Sequence, residues 1–201
     1  GRVMDPETGL DAVRNVGIRG QSVVTISELP IQGETEVDAT GLVVAPGFVD
    51  LHAHGQSARA NEFQAMDGVT TALELESGVP DLPTFLAMRA GDAVINYGAS
   101  IAHGAIRTWV MSDYAEVFDK NDPESAWFRQ PIAVPDAAGD EMDDAMVEAL
   151  SATISPARYK ELDPGNYPAL WARMQQGLSD GAIGIGMPHQ YYPGVSRDEI
   201  F

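Results

Sequence analysis

Along the chain the apolar positions change rhythm near residue 42. Residues 1–47 run as short β-branched stretches cut by turn formers: Asp5-Pro6-Glu7-Thr8-Gly9 predicts a turn, Val13 to Ile18 and Val23 to Ile26 predict strands, and Gly20 and Gly33 punctuate the rest. This reads as a small antiparallel β unit with too little apolar area to stand alone, so it should pack on the remainder of the chain or pair with further strands. From residue 42 buried strands alternate with helical stretches. Leu42 to Val44 and Phe48 to His54 flank Pro46-Gly47, and Val69 to Glu76, Ala99 to His103 and Ala182 to Met187 predict further strands. Leu82 to Ile95 predicts a helix with Phe85, Met88, Val94 and Ile95 broadly on one side. Asn166 to Leu178 predicts another, with Leu170, Met174 and Leu178 at i, i+4 and i+8 and Gly181 just past its end. Repeated strand–helix–strand units imply an α/β fold with a parallel sheet, either open and doubly wound or closed into a barrel.

Charge sharpens the picture. Thirty Asp and Glu against 12 Lys and Arg leave a net −18 over 201 residues. Such a chain repels nucleic acid and anionic membrane surfaces and attracts cations and metal ions. Half of the imbalance lies in 112–163, which reads as a solvated surface excursion with an exposed helix at Glu141 to Leu150, or as a lid or substrate loop. The absence of cysteine excludes disulfides, thiolate metal sites and a cysteine nucleophile. No apolar run approaches the roughly 18–20 residues of a membrane span. The chain begins at Gly1, so its compartment is left open.

The string richest in chemistry is Val43-Val44-Ala45-Pro46-Gly47-Phe48-Val49-Asp50-Leu51-His52-Ala53-His54-Gly55. Alternation along a strand puts Asp50, His52 and His54 on one face. The two imidazoles then stand about 6.5–7 Å apart at their Cα atoms, close enough for both rings to reach one divalent ion. An isolated His-x-His is equally a pair of histidines satisfied by backbone or water. Here an apolar strand led by Pro-Gly and ending in two histidines suits a site at the carboxyl face of a parallel barrel. Gly181, Gly184 and Gly186 make no phosphate loop, because their spacing is reversed from G-x-G-x-x-G and they follow a helix.

This string resembles the first barrel strand of the amidohydrolase superfamily, which follows a small β-sandwich; Gly-Arg-Val-Met-Asp-Pro at the start is similar to the second sandwich strand. A finer resemblance is to the N-acyl-D-amino-acid deacylase (D-aminoacylase) branch, carried by Gly68-Val69-Thr70-Thr71, by Asn96 to Arg107, and by Gly181 to Gly186 with Tyr191 and Pro193 downstream. The resemblance implies a sandwich portion at 1–47 and, at 48–201, about the first four strands of a metal-dependent (β/α)8 TIM-type barrel with an acidic insertion near 112–163. It implies zinc, one or two ions, held by His52 and His54. Where members of that branch often carry a metal-binding Cys, Ser77 stands; Glu76 is the carboxylate expected to take its place, with Glu74 on the same strand face in reserve. His103 and Tyr191 take positions where a substrate contact is expected, although a hydrogen-bonded structural His and a packed aromatic are the plainer readings.

A closed barrel takes eight strands and about 250 residues, so the chain reads as an N-terminal fragment whose remaining histidine ligands and catalytic Asp lie beyond Phe201. The implied activity of the parent protein is hydrolysis of a linear amide in a small-molecule N-acyl amino acid by a metal-activated water. Two alternatives stand beside it. One is a cyclic-amide hydrolase resembling dihydroorotase or hydantoinase, for whose carboxylated Lys no strand position here is a candidate. The other is a catalytically silent barrel serving as a binding scaffold. Oligomerisation is left open.

Overall fold

The computed structural model describes residues 1–54, 57–111, 158–188 and 193–200, in two compact units, Gly1–Gly47 and Phe48–Phe201. Most of the acidic segment, including Glu141 to Leu150, and also Tyr191, lie outside the described residues.

In the first unit β1 (Arg2–Asp5) pairs antiparallel with β2 (Leu10–Val13). The connection is the turn read from the sequence. Asp5 accepts from the Glu7 amide (3.0 Å) and the Thr8 hydroxyl (2.5 Å), and Gly9 supplies the positive φ of 74°. β3 (Asn15–Arg19) and β4 (Ser22–Ser27) form a separate hairpin, and β5 (Val43–Val44) adds in parallel to β1. The run Val13 to Ile18 is thus two strands in two sheets. The Arg14 amide closes the first ladder onto the Gly1 carbonyl (3.0 Å), and the chain starts a new pairing at Asn15. Val3 is the one fully buried apolar side chain of this unit, while Val13, Ile18, Val23 and Val24 remain exposed.

The second unit carries a four-stranded parallel sheet: β6 (Phe48–Asp50), β7 (Val69–Val79), β8 (Asn96–Ala102) and β9 (Ile185–Gly186), in that spatial order. Each strand lies beside the next in the chain with no reversal of winding, whereas a doubly wound sheet reverses at a switch point. This is the order of consecutive strands in a barrel wall, and the described residues do not close one. α1 (Ala58–Met66) is capped by the Ser57 hydroxyl, which accepts from the Ala60 amide (3.1 Å), and α2 (Leu82–Ala87) by Asp81, which accepts from the Thr84 amide (3.1 Å). α3 (His103–Val110) follows β8 directly, α4 (Tyr167–Ser179) follows a 3₁₀ turn at Pro164–Asn166, and α5 is Arg197–Ile200. Among the described residues no helix is long and apolar enough to cross a membrane.

Three elements are shorter than the pattern predicts. β6 stops at Asp50 instead of running to His54, because the Asp50 carboxylate accepts the His52 amide (2.9 Å) and turns the backbone out of the ladder. α2 stops at Ala87, so Met88 and Val94 are exposed. Arg89 folds back over Phe85, donating to its carbonyl at 3.0 Å with the guanidinium 3.8 Å from the ring centre, and burial lowers its pKa to about 10. β9 has two residues, although the Ile183 amide to Ala99 carbonyl bond (3.0 Å) carries its contact with β8 further back. One apolar cluster of the core gathers Val79, Leu82, Phe85 and Ala99, with Leu86, Tyr97 and Ala182 packed against them. On α4, Leu170 and Met174 are buried as predicted, whereas Leu178 lies outside the buried face.

One irregularity positions the site. β7 pairs Glu74 with Ala99, and its next partnered residue, Val79, pairs with Ile101, so β7 advances five residues while β8 advances two. The extra residues form a bulge, a device that re-aims side chains. Ser100 holds it by donating its hydroxyl to the Leu75 carbonyl at 2.9 Å. Gly78 completes it with φ 71°, in a place where a Cβ would lie 2.6 Å from the Ser100 hydroxyl and 2.8 Å from its carbonyl oxygen.

Candidate metal centre

At the carboxyl end of β6 the chain leaves the sheet but stays tied to β7. His52 bridges Glu74, and the Ala53 amide donates to the Leu73 carbonyl at 3.0 Å. This fastening sets the histidines beside the β7 bulge. The Nε2 atoms of His52 and His54 stand 2.8 Å apart, with the rings nearly perpendicular. Oε2 of Glu76 lies 3.1 Å from each Nε2. Behind His54, Oε2 of Glu74 lies 2.8 Å from Nδ1, and Oε1 of Glu74 accepts from the Ser77 amide at 3.2 Å. Exposure grades across the cluster: the His52 side chain is 62% exposed, His54 41%, Glu76 23% and Glu74 0%.

His52, His54 and Glu76 could hold a metal ion. Adjacent vertices of a tetrahedral zinc shell with 2.0–2.1 Å bonds are about 3.3–3.4 Å apart. The three facing atoms, at 2.8–3.1 Å, are nearly so spaced. Their chemistry points the same way. Two imidazole nitrogens and a carboxylate oxygen are electron-pair donors, and drawn this close they repel unless a proton or a cation lies among them.

The remaining residues singled out in the sequence fare differently. Ser77 contributes its backbone amide to Glu74. His103 is the first residue of α3 and 1% exposed, with Nε2 3.2 Å from Oε1 of Glu199. Its neighbourhood is a second buried cluster, in which the Arg107 Nε donates to Glu199 Oε1 at 2.7 Å and the Arg107 Nη2 donates to the carbonyls of Lys160 (2.6 Å) and Gly194 (3.1 Å). So enclosed, His103 presents almost no surface to a ligand, and among the described residues neither of its ring nitrogens makes a hydrogen bond. Tyr191 falls outside the described residues. The sequence reading included Arg107 only as the end of the Asn96 to Arg107 string, gave it no role, and did not single out Glu199, which lies 92 residues away.

A β/α unit with parallel strands in chain order, and a His-x-His pair gathered with a carboxylate at its carboxyl edge, defines an α/β protein with a site able to take a divalent ion. Residues 35–151, more than half of the chain, match the model described as "Amidohydrolase family", and the chain belongs to that family. The family suggests a hydrolase acting on C–N bonds. The chain is 53% identical over 55 residues to a dihydroorotase of Streptococcus pneumoniae serotype 4, a stretch covering 27% of this chain and 13% of the relative. A dihydroorotase of Streptococcus thermophilus (strain CNRZ 1066) is 54% identical over 55 residues, with the same coverage. One of Streptococcus pyogenes serotype M1 is 39% identical over 90 residues, 40% of this chain and 21% of the relative. The matched stretches therefore span about a fifth or less of these curated relatives. No solved structure matches. The superfamily resemblance read from the Pro-Gly and His-x-His string thus holds, while these relatives are named dihydroorotase and do not support the finer D-aminoacylase resemblance.

Proposed function

We propose that the protein is a divalent-metal-dependent hydrolase of a cyclic amide, with zinc held by His52, His54 and Glu76. The observation that carries the metal reading is the meeting of two imidazole Nε2 atoms and one carboxylate oxygen within 3.1 Å. Preference for a cyclic over a linear amide rests on the dihydroorotase names of the relatives. A divalent ion supplies, when bound, Lewis-acid polarisation of an amide carbonyl and acidification of water. The chain's own part is to aim the donors. Asp50 turns the backbone so that His52 leaves the ladder, the β7 bulge carries Glu76 to the histidines, and the partial exposure of His52 and His54 leaves one side open to substrate.

The test is hydrolysis by the purified whole protein of dihydroorotate and hydantoins, against N-acetyl-D-amino acids, before and after chelation and zinc restoration. Ring opening that is lost on chelation and restored by zinc is the expected result. Cleavage confined to the linear substrates would replace this reading with deacylation. A protein that binds no metal and cleaves neither class would be a binding scaffold.

A further inference from the structure

We infer that Glu74 is not a metal ligand but a positioning residue, which holds His54 in the Nδ1–H tautomer and thereby turns the Nε2 electron pair toward His52 and Glu76. This rests on the proposed metal site, since it assigns a task to the carboxylate behind that site. A neutral imidazole carries one N–H. His54 has a carboxylate at each end, with Glu74 Oε2 2.8 Å from Nδ1 and Glu76 Oε2 3.1 Å from Nε2, so a single ring proton can serve only one of them. The surroundings choose Glu74. Its side chain is fully buried, and a carboxylate shut away from water is costly unless donors surround it. Among the described residues the Ser77 amide fills Oε1 at 3.2 Å, and His54 Nδ1–H is the donor to Oε2. Glu76 remains partly in water and can do without that proton.

The two glutamates, two residues apart on one bulged strand, therefore have separate tasks. A carboxylate placed behind a ligating histidine fixes ring orientation and raises ligand basicity, and its loss typically weakens metal binding 10–100-fold. The backbone makes Glu74 a rigid support, because its residue bridges His52 and the Ser100 hydroxyl, which donates to the adjoining Leu75 carbonyl at 2.9 Å, also lies 3.3 Å from the Glu74 carbonyl oxygen.

Two measurements on the purified protein and its Glu74→Gln, Glu74→Ala and Glu76→Ala variants test the inference, with folding checked by circular dichroism. Long-range ¹H–¹⁵N NMR of the metal-free protein reports the His54 tautomer, expected to show a protonated Nδ1 and a bare Nε2, and to become mixed or reversed in either Glu74 variant. Cobalt(II) titration reports affinity and coordination. Glu74→Ala should bind 10–100-fold more weakly with the wild-type visible spectrum, whereas Glu76→Ala should change the spectrum itself. If Glu74→Ala does not fold, Glu74→Gln carries both readouts. An Nε2–H tautomer in the wild type, or an unchanged tautomer and cobalt affinity in folded Glu74 variants, overturns the inference. A Glu74 variant whose spectrum shows a lost ligand would make Glu74 the ligand. A wild type that binds no cobalt refutes the metal site itself, and the NMR arm still decides the tautomer.

Discussion

Arg107→Met should cost about 3–5 kcal/mol of folding stability, the amount expected when one partner of a buried ion pair is removed and the other is left unpaired. Both side chains are 0% exposed, and the guanidinium joins three separate pieces of chain. Nε donates to Glu199 on α5 at 2.7 Å, and Nη2 donates to the carbonyls of Lys160 and Gly194. Met fills much of the volume and supplies no donor, so a carboxylate and two carbonyls each lose a partner. Glu199→Gln should cost less, about 1.5–3 kcal/mol, because Arg107 keeps its carbonyl acceptors and the amide oxygen can still accept. The double variant Arg107→Met/Glu199→Leu removes both charges and should recover most of the Arg107→Met loss, ending within about 2 kcal/mol of the wild type. Urea unfolding followed by circular dichroism and by tryptophan fluorescence measures all three variants. Trp171 is a local reporter, since its indole N–H donates to the Glu199 carbonyl at 3.0 Å. The thermal midpoint of Arg107→Met should fall by roughly 6–20 °C for a chain of this size. A loss under about 1 kcal/mol would refute the argument that the pair is sealed from water. A double variant as unstable as the sum of the two single ones would show that shape, not charge, is what the site needs.

Gly78→Ala should destabilise by more than the roughly 1–2 kcal/mol that positive φ alone costs, because the added Cβ meets the Ser100 hydroxyl and carbonyl; urea unfolding reads the loss, and a neutral variant would deny the bulge its tight fit. Phe85→Ala should cost about 3–5 kcal/mol, since the residue is 3% exposed and belongs to a buried apolar cluster with Val79, Leu82 and Ala99; a thermal midpoint within about 2 °C of the wild type would contradict that. Hydrogen bonds from Thr8 and Glu7 hold the Asp5 carboxyl below its ordinary value, and Arg2 does the same for Asp11. Their contribution is therefore present above the ordinary carboxylate value near pH ~4 and is lost as pH falls through their lowered folded values. Lying at the surface in contact with water, they should shift the acid unfolding midpoint only slightly on replacement by Asn, and stability that rises as pH falls through this range would reverse the sign.

The features legible in the chain alone are local in origin. The two-residue spacing of His52 and His54, the turn at Asp5 to Gly9, the alternation of strands and helices after residue 42, and Gly181 behind α4 all arise from side-chain period and from turn and cap chemistry, which act over a few residues. The Pro-Gly lead-in and the histidine pair sufficed to name the superfamily. The other features came from folding, because each depends on atoms far away in the chain. The bulge in β7 exists against Ser100 on the neighbouring strand, and through it Glu74 and Glu76 divide between the two ends of one imidazole. Strand parity alone put both acids on one face and could not separate them. The ends of β6 and α2 were set by side chains folding back on the backbone, Asp50 on the His52 amide and Arg89 on the Phe85 carbonyl, where apolar patterning predicted continuation. The pairing of Arg107 with Glu199 left no mark in any pattern, since a buried ion pair across 92 residues has neither period nor fixed spacing and arises only when packing excludes water from both.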